Sequence, residues 1–233
     1  MNPQQKEQAK NISKQLDGLE AVQINTYGNE LQNEVADFSK EILDIFSDHE
    51  LNDISSALYD LIFAINDIKP SELMPQKENI ISKLIGTQKR LEIQTVEKYN
   101  KIREQISKSA EILDRQCSQL DDDNQVFDRL YQQNIEYYQR FNLYIAGAEI
   151  KEKDISVNNL AAAKKRVEKT KNRLDQQTVD EVNFTLESLH QRTNELKLLR
   201  QIVVGQAPKI RQVQKANEEL ISKVGSLVSD RIP

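Results

Sequence analysis

The chain has 233 residues, of which 30% are charged, and its net charge of −5 supplies no global basic field that would draw it to nucleic acid. Six Gly, five Pro and no Trp leave few tight turns, which disfavours sheets and favours long uninterrupted helices. A single cysteine, Cys117, excludes an internal disulfide and cannot build a metal cluster by itself, so a reducing cytoplasm is the natural setting.

Reading along the chain, apolar residues recur at helical spacing. Leu31, Val35, Phe38, Ile42 and Ile45 form one stripe, and Leu51, Ile54, Leu58, Leu61, Ile65 and Ile68 another. Between them, Ser47 with Glu50 three residues later has the form of a capping box, which predicts a helix start near Asp48. Pro70 and Pro75 should end that helix and open a short one that closes near Gly86. Residues 1–86 therefore read as a region of short helices.

Residues 87–233 read as a long helical hairpin. Ile102, Ile106, Ala110, Leu113, Cys117, Leu120, Phe127, Leu130, Ile135, Tyr138, Phe141 and Ile145 form one stripe with no Gly or Pro before Gly147. An unbroken helix over 88–147 would be about 90 Å long. Asp121, Asp122 and Asp123 could loosen one turn, but continuity is favoured. Residues 151–156 read as a connection, followed by a short connecting helix over 157–174. Thr178 and Glu181 form a second capping-box pattern that should start the last helix. There, Leu189, Leu196, Leu199, Val203, Ile210, Val213, Leu220, Val224 and Leu227 fit a heptad, with Asn217 at a core position. A lone core Asn can fix register or partner number at some cost in stability. Pro208, with Gly205 upstream, should bend this helix. Antiparallel pairing with 88–147 is the simplest way to cover the seam, and self-association through it is the rival. The expected fold is thus all-α, an elongated bundle of long antiparallel coiled-coil-like helices with a group of shorter N-terminal helices.

Charge is unevenly placed. Residues 29–67 hold ten acids against Lys40, residues 164–173 hold six bases against Glu168, and residues 189–223 hold seven bases against three acids. Mutual attraction within one bundle accounts for this most simply, and a basic face meeting anionic lipid or an acidic protein is the alternative.

No constellation supports catalysis, a cofactor or a metal. His49 and His190 lack neighbours at ligand spacing, and no phosphate-binding loop, nucleophile elbow or zinc motif occurs. Cys117 falls in an apolar stripe, as a small buried hydrophobe would. Tyr131, Tyr137, Tyr138 and Tyr144 are read as seam tyrosines first and partner-recognition residues second. Lys197 and Arg200, one helical turn apart, with Lys209 and Arg211, are the one plausible oxyanion cluster. Two exposed cations bind a small hydrated anion weakly, so sequestration is disfavoured. The candidate interaction residues are Tyr137, Tyr138, Tyr144, Lys197, Arg200, Arg211 and Asn217.

Two blocks are more specific than periodicity. LDDDNQVFDRLYQQNIEYYQRFNLYIAGAEI at residues 120–150 and LKLLRQIVVGQAPKIRQVQKANEELISKVGSLVSDRIP at residues 196–233 resemble, in order, the toxic anion resistance family, the TelA-like proteins. EVADFSKEIL at 34–43 and KPSEL at 69–73 extend the resemblance loosely. It implies a helical cytoplasmic protein linked to resistance against tellurite and to envelope stress, without an established enzymatic activity. It also implies further helix beyond Pro233, so the chain reads as the family's pattern without its C-terminal part.

The expected function is a non-enzymatic scaffold acting through protein contacts, with other proteins or with itself. The alternatives are a peripheral module on anionic lipid and an oxyanion-binding protein. No apolar run approaches the roughly 18 residues needed to span a bilayer, and MNPQQKEQAKN is not a signal peptide. The expected place is the cytoplasm, with the inner face of the cell membrane as a peripheral site.

Overall fold

A computed structural model describes residues 1–48, 52–66 and 87–231. These residues hold helices and no strand. The helices are α1 (Pro3–Ser13), α2 (Ala21–Ile24), α3 (Asn29–Asp48), α4 (Asn52–Asn66), α5 (Thr87–Asp154), α6 (Ala161–Thr170) and α7 (Arg173–Arg231). A 3-10 turn, Lys14–Leu16, follows α1, and a π-helical segment, Ile155–Leu160, joins α5 to α6. The all-α expectation holds, and no described helix is long and apolar enough to cross a membrane.

Local chemistry explains the boundaries. Asn2 and Gln5 cap α1 reciprocally at 2.8 and 2.9 Å, with Pro3 as its first residue. Gly28, at φ +75°, turns the chain into α3, a conformation that a side chain would strain. Ser47 and Asp48 do not open a helix. They close α3, and the next helix starts at Asn52, while Glu50, Pro70, Pro75 and Gly86 lie outside the described residues.

The long helix is continuous through Asp121, Asp122 and Asp123, as expected, but it passes Gly147 and ends only at Asp154. Gly147 serves close packing instead. A Cβ there would lie 2.9 Å from the Tyr27 hydroxyl and 3.1 and 3.2 Å from backbone atoms of Ala9 and Ser13. The expected connection at 151–156 is likewise helical, and the chain breaks at Lys171, at φ +51°, and Asn172. The Asn172 side chain accepts the Leu174 N–H at 3.1 Å and starts α7. Thr178 and Glu181 therefore lie inside α7. The Thr178 hydroxyl donates to the Leu174 carbonyl at 3.3 Å, and Glu181 accepts the Gln177 amide at 3.2 Å. Their spacing fits a cap equally well, but Asn172 wins because the left-handed residue before it already stops α6.

Contacts divide the chain into two compact units, Met1–Phe46 with Asp128–Gln212, and Ser47–Phe127 with Val213–Pro233. In the first, Val35 and Phe38 of α3, Phe141 and Ile145 of α5, and Leu196 and Val203 of α7 are buried. Here α5 and α7 run antiparallel, since Glu152, Asn142, Asn134 and Asp128 meet Thr193, Arg200, Val203 and Arg211 in reverse order. α3 joins both, through Glu34 to Arg140 and through Ser39 to Gln206. In the second unit, Ile54, Ala57 and Leu61 of α4 pack with Leu113 and Leu120 of α5 and Val224 of α7. Each fully buried Leu or Phe stabilises by about 1.5–3 kcal/mol, so these layers are what hold the helices together.

The seam is stricter than the apolar pattern suggested. Leu189, Leu196, Val203, Ile210, Asn217 and Val224 are buried at intervals of seven. So are Leu113, Leu120, Phe127, Asn134, Phe141, Ala148 and Ile155 on α5 and the segment that follows it. A sustained seven-residue interval is coiled-coil packing. Ile135 and Tyr138, assigned to the seam from their hydrophobicity, are respectively half-buried and exposed, and Asn134 and Tyr137 take the inward positions.

Candidate functional site: polar residues along the helical seam

In the first unit, the sequence-predicted tyrosines do not converge. Tyr137 is buried with its ring 5.1 Å from that of Phe38 and the Arg140 guanidinium 5.6 Å from its centroid. Tyr144 packs against Tyr27 with the rings tilted and their centroids 5.2 Å apart, and the Tyr27 hydroxyl donates to the Tyr144 carbonyl at 2.8 Å. Burial, helped by Tyr144, raises the Tyr27 phenol pKa above its ordinary value, so it stays a neutral donor. Tyr138 faces solvent.

The cations do not converge either. Lys197 reaches Glu149 at 2.8 Å, Arg200 donates to Asn142 at 2.7 Å, and Arg211 pairs with Asp128 at 2.6 Å while lying 3.9 Å over the Tyr131 ring. Each spans from α7 to α5. Lys209 is exposed and has no ion pair among the described residues.

Arg192, counted in the sequence only as one base among seven, is the most connected side chain of this unit. It is 4% exposed, and its guanidinium donates to the Tyr27 carbonyl at 2.8 Å, Asn29 at 2.8 Å, Gln32 at 3.1 Å and Glu195 at 2.6 Å. This fork binds the turn before α3 to α7. No spacing signal marked it, because its acceptors lie 160 residues or more away in sequence apart from Glu195.

Arg140 and Glu34 form a two-bond pair, one of them at 2.9 Å. The hydrogen bond from Arg140 holds the Glu34 carboxyl below its ordinary pKa, against a smaller desolvation effect. A lowered folded-state pKa means stabilisation that is complete above the ordinary carboxylate range and fades as pH falls through the lowered value. Glu34→Gln should therefore flatten the acid limb of a stability-versus-pH curve there, as measured by urea midpoints. An unchanged acid limb would show that the pair does not contribute.

In the second unit, Asn217 is 3% exposed and donates to the Asn124 side-chain oxygen at 3.1 Å, while Gln214 donates to the Asn124 carbonyl at 3.3 Å. The partner that a core Asn demands is thus on the same chain. Asn217→Leu, which the heptad alone would predict to be stabilising, should cost about 1–2 kcal/mol by leaving Asn124 unsatisfied. Asn124→Leu with Asn217→Leu should recover most of that loss in thermal melts. Additive losses would refute the coupling.

Cys117 of the same unit is half-buried in the apolar cluster, and burial, with Asp114 second, raises its thiol pKa. This is the opposite of an activated nucleophile. No cluster of three metal-ligating side chains occurs among the described residues. A cavity of about 220 Å³ in the first unit is lined by Leu16, Ile24, Lys151, Ile155 and Leu189 among others. Its one charged group, Lys151, already pairs with Asp17 at 2.6 Å and Asp154 at 3.4 Å.

A family model described as toxic anion resistance protein (TelA) matches residues 9–233. The chain belongs to the TelA family. It is 32% identical over 228 residues to an uncharacterised protein of Listeria monocytogenes, covering 98% of this chain and 57% of that one. It is 29% identical over 222 residues to a TelA-like protein of Staphylococcus haemolyticus, covering 95% and 57%. With an uncharacterised protein of Bacillus subtilis it shares 27% identity over 231 residues, covering 98% and 59%. The chain therefore spans somewhat under three fifths of the length of these TelA relatives. No solved structure matches it. Family membership supports toxic anion resistance at the level of the TelA family as a whole.

Proposed function

We propose that the chain serves toxic anion resistance as a non-enzymatic helical scaffold acting through protein contacts, not by binding or transforming the anion. The carrying observation is that Lys197, Arg200 and Arg211, the cations whose spacing on the last helix suggested an oxyanion site, are each engaged with a different partner on α5. A tellurite site would have to break these pairs and repay their loss with weak contacts to a well-hydrated ion. One uncovered group on α4 suits another kind of contact. Tyr59, Ile62 and Phe63 of α4 are 72%, 49% and 67% exposed at one-turn spacing, a composition suited to contact with protein.

The test has two arms. Tellurite titrated into the protein by calorimetry should give no saturable heat, and Lys197→Gln with Arg200→Gln at the native locus should leave growth in tellurite unchanged. Tyr59→Ser with Phe63→Ser should reduce growth in tellurite without shifting the melting temperature. Saturable tellurite binding that the first pair abolishes would overturn the proposal, as would full resistance in the second.

A further inference from the structure

The end of the α6–α7 hairpin concentrates positive charge that its own acids offset only in part. Residues 161–176 contain Lys164, Lys165, Arg166, Lys169, Lys171 and Arg173 against Glu168 and Asp175, in a chain whose net charge is −5. All six cations are exposed, and of the six only Arg166 has an ion pair among the described residues, with Asp175 at 2.9 Å. Asp175 is itself buried and also accepts from the Thr170 hydroxyl, so it is committed to closing the turn.

The arrangement is unfavourable for the chain by itself. Lys165 and Lys169 repel at one-turn spacing. Arg173 begins α7, where the helix macrodipole disfavours a cation. α6 buries no residue, so packing within the chain does not require this composition. A solvated face would be served equally by mixed charges.

Two further observations bear on what compensates the charge. Leu174, directly after Arg173 at the closing turn, is 69% exposed. Aliphatic groups at the end of a cationic hairpin gain nothing against phosphates of a nucleic acid, and residues 161–176 contain no aromatic ring on which a base could stack. The cations are also not on one stripe. Lys164 and Lys165 point about 100° apart on α6, and Lys171 and Arg173 flank the closing turn. A fluid lipid surface can gather its anionic headgroups around cations on several sides of a hairpin end, so the lack of a single stripe suits it.

We infer that the hairpin end formed by α6 and the first turn of α7 is an electrostatic docking site for an anionic lipid surface, with Leu174 entering the interface. This goes beyond the scaffold reading and does not rest on it. The charge carries the attraction at about fivefold in partitioning per cation near the surface.

Co-sedimentation of the 233-residue protein with vesicles containing about 30% phosphatidylserine at low salt should show binding that neutral phosphatidylcholine vesicles lack. Raising salt to about 0.5 M should abolish it. Lys165→Gln with Lys169→Gln and Lys171→Gln should weaken partitioning roughly a hundredfold while leaving the circular dichroism melt unchanged. Removing three charges elsewhere, with Lys101→Gln, Arg103→Gln and Lys223→Gln, should change it by less than about twofold, and Leu174→Ser should weaken it severalfold. Failure to bind anionic vesicles would overturn the proposal. So would equal losses in the two charge variants, or tighter binding to duplex DNA than to the vesicles at the same salt.

Discussion

Arg192→Ala is expected to lower the unfolding free energy by about 3–4 kcal/mol, at or above the upper end of what most single substitutions cost. Three contributions add. The Tyr27 carbonyl loses its bond from the guanidinium, Asn29 and Gln32 lose a charged donor, and a cavity replaces a side chain that is only 5% exposed. Arg192→Lys should recover little of the loss, because an ammonium cannot reach three acceptors in the planar geometry that the fork uses. Urea denaturation followed by circular dichroism measures both. A loss below about 1 kcal/mol in the alanine variant would show that the turn before α3 is held by packing alone.

Gly147→Leu should cost about 2–3 kcal/mol through overpacking, although replacing glycine inside a helix ordinarily stabilises it. Its Cβ would meet the Tyr27 hydroxyl and the backbone of Ala9 and Ser13, within 3.2 Å of each. The hydroxyl is fixed by its bond to the Tyr144 carbonyl, and backbone atoms of α1 cannot rotate away. The helix α1 must then lift. Hydrogen exchange should report faster exchange over residues 3–13, and a variant with wild-type protection there would contradict the packing described.

How much of the fold is legible in the sequence follows from what each residue type signals. Leu113, Leu120, Leu189 and Leu196 announce buried positions because an apolar side chain has one low-energy place to go. That is enough for the all-α class and for a seam, but periodicity is the same whether the seam pairs within the chain or with a second copy, and the pairing is visible only in the structure. Asn134 occupies the same repeating position as these leucines, yet its polarity hides it. It donates to the Val203 carbonyl at 3.0 Å, a partner visible only once the helices are paired. Arg192 is hidden in the same way. The misplaced helix starts at Asp48 and Thr178 have another cause, since a Ser or Thr three residues before Glu occurs freely inside helices and a cap exists only where the backbone has already left helical geometry. Tyr137 and Tyr138 are adjacent letters about 100° apart on the helix, and no count of aromatics distinguishes the core ring from the exposed one.

The turn at Lys171 and Asn172 also has a bearing on the order of folding. Arg166 and Asp175 meet across nine residues, and beyond them Thr193 meets Glu152 across 41, Arg200 meets Asn142 across 58, Val203 meets Asn134 across 69 and Arg211 meets Asp128 across 83. Formed in isolation, each of these pairs would have to close a longer loop at a rising entropic cost. Formed in sequence from the turn outward, each closes only the short stretch left by the one before. The first unit should therefore zip from residues 166–175, with a transition state ordered at the turn and still open at residues 128 and 211. Substitutions near Asp175 would then slow folding, and those near Asp128 would chiefly speed unfolding.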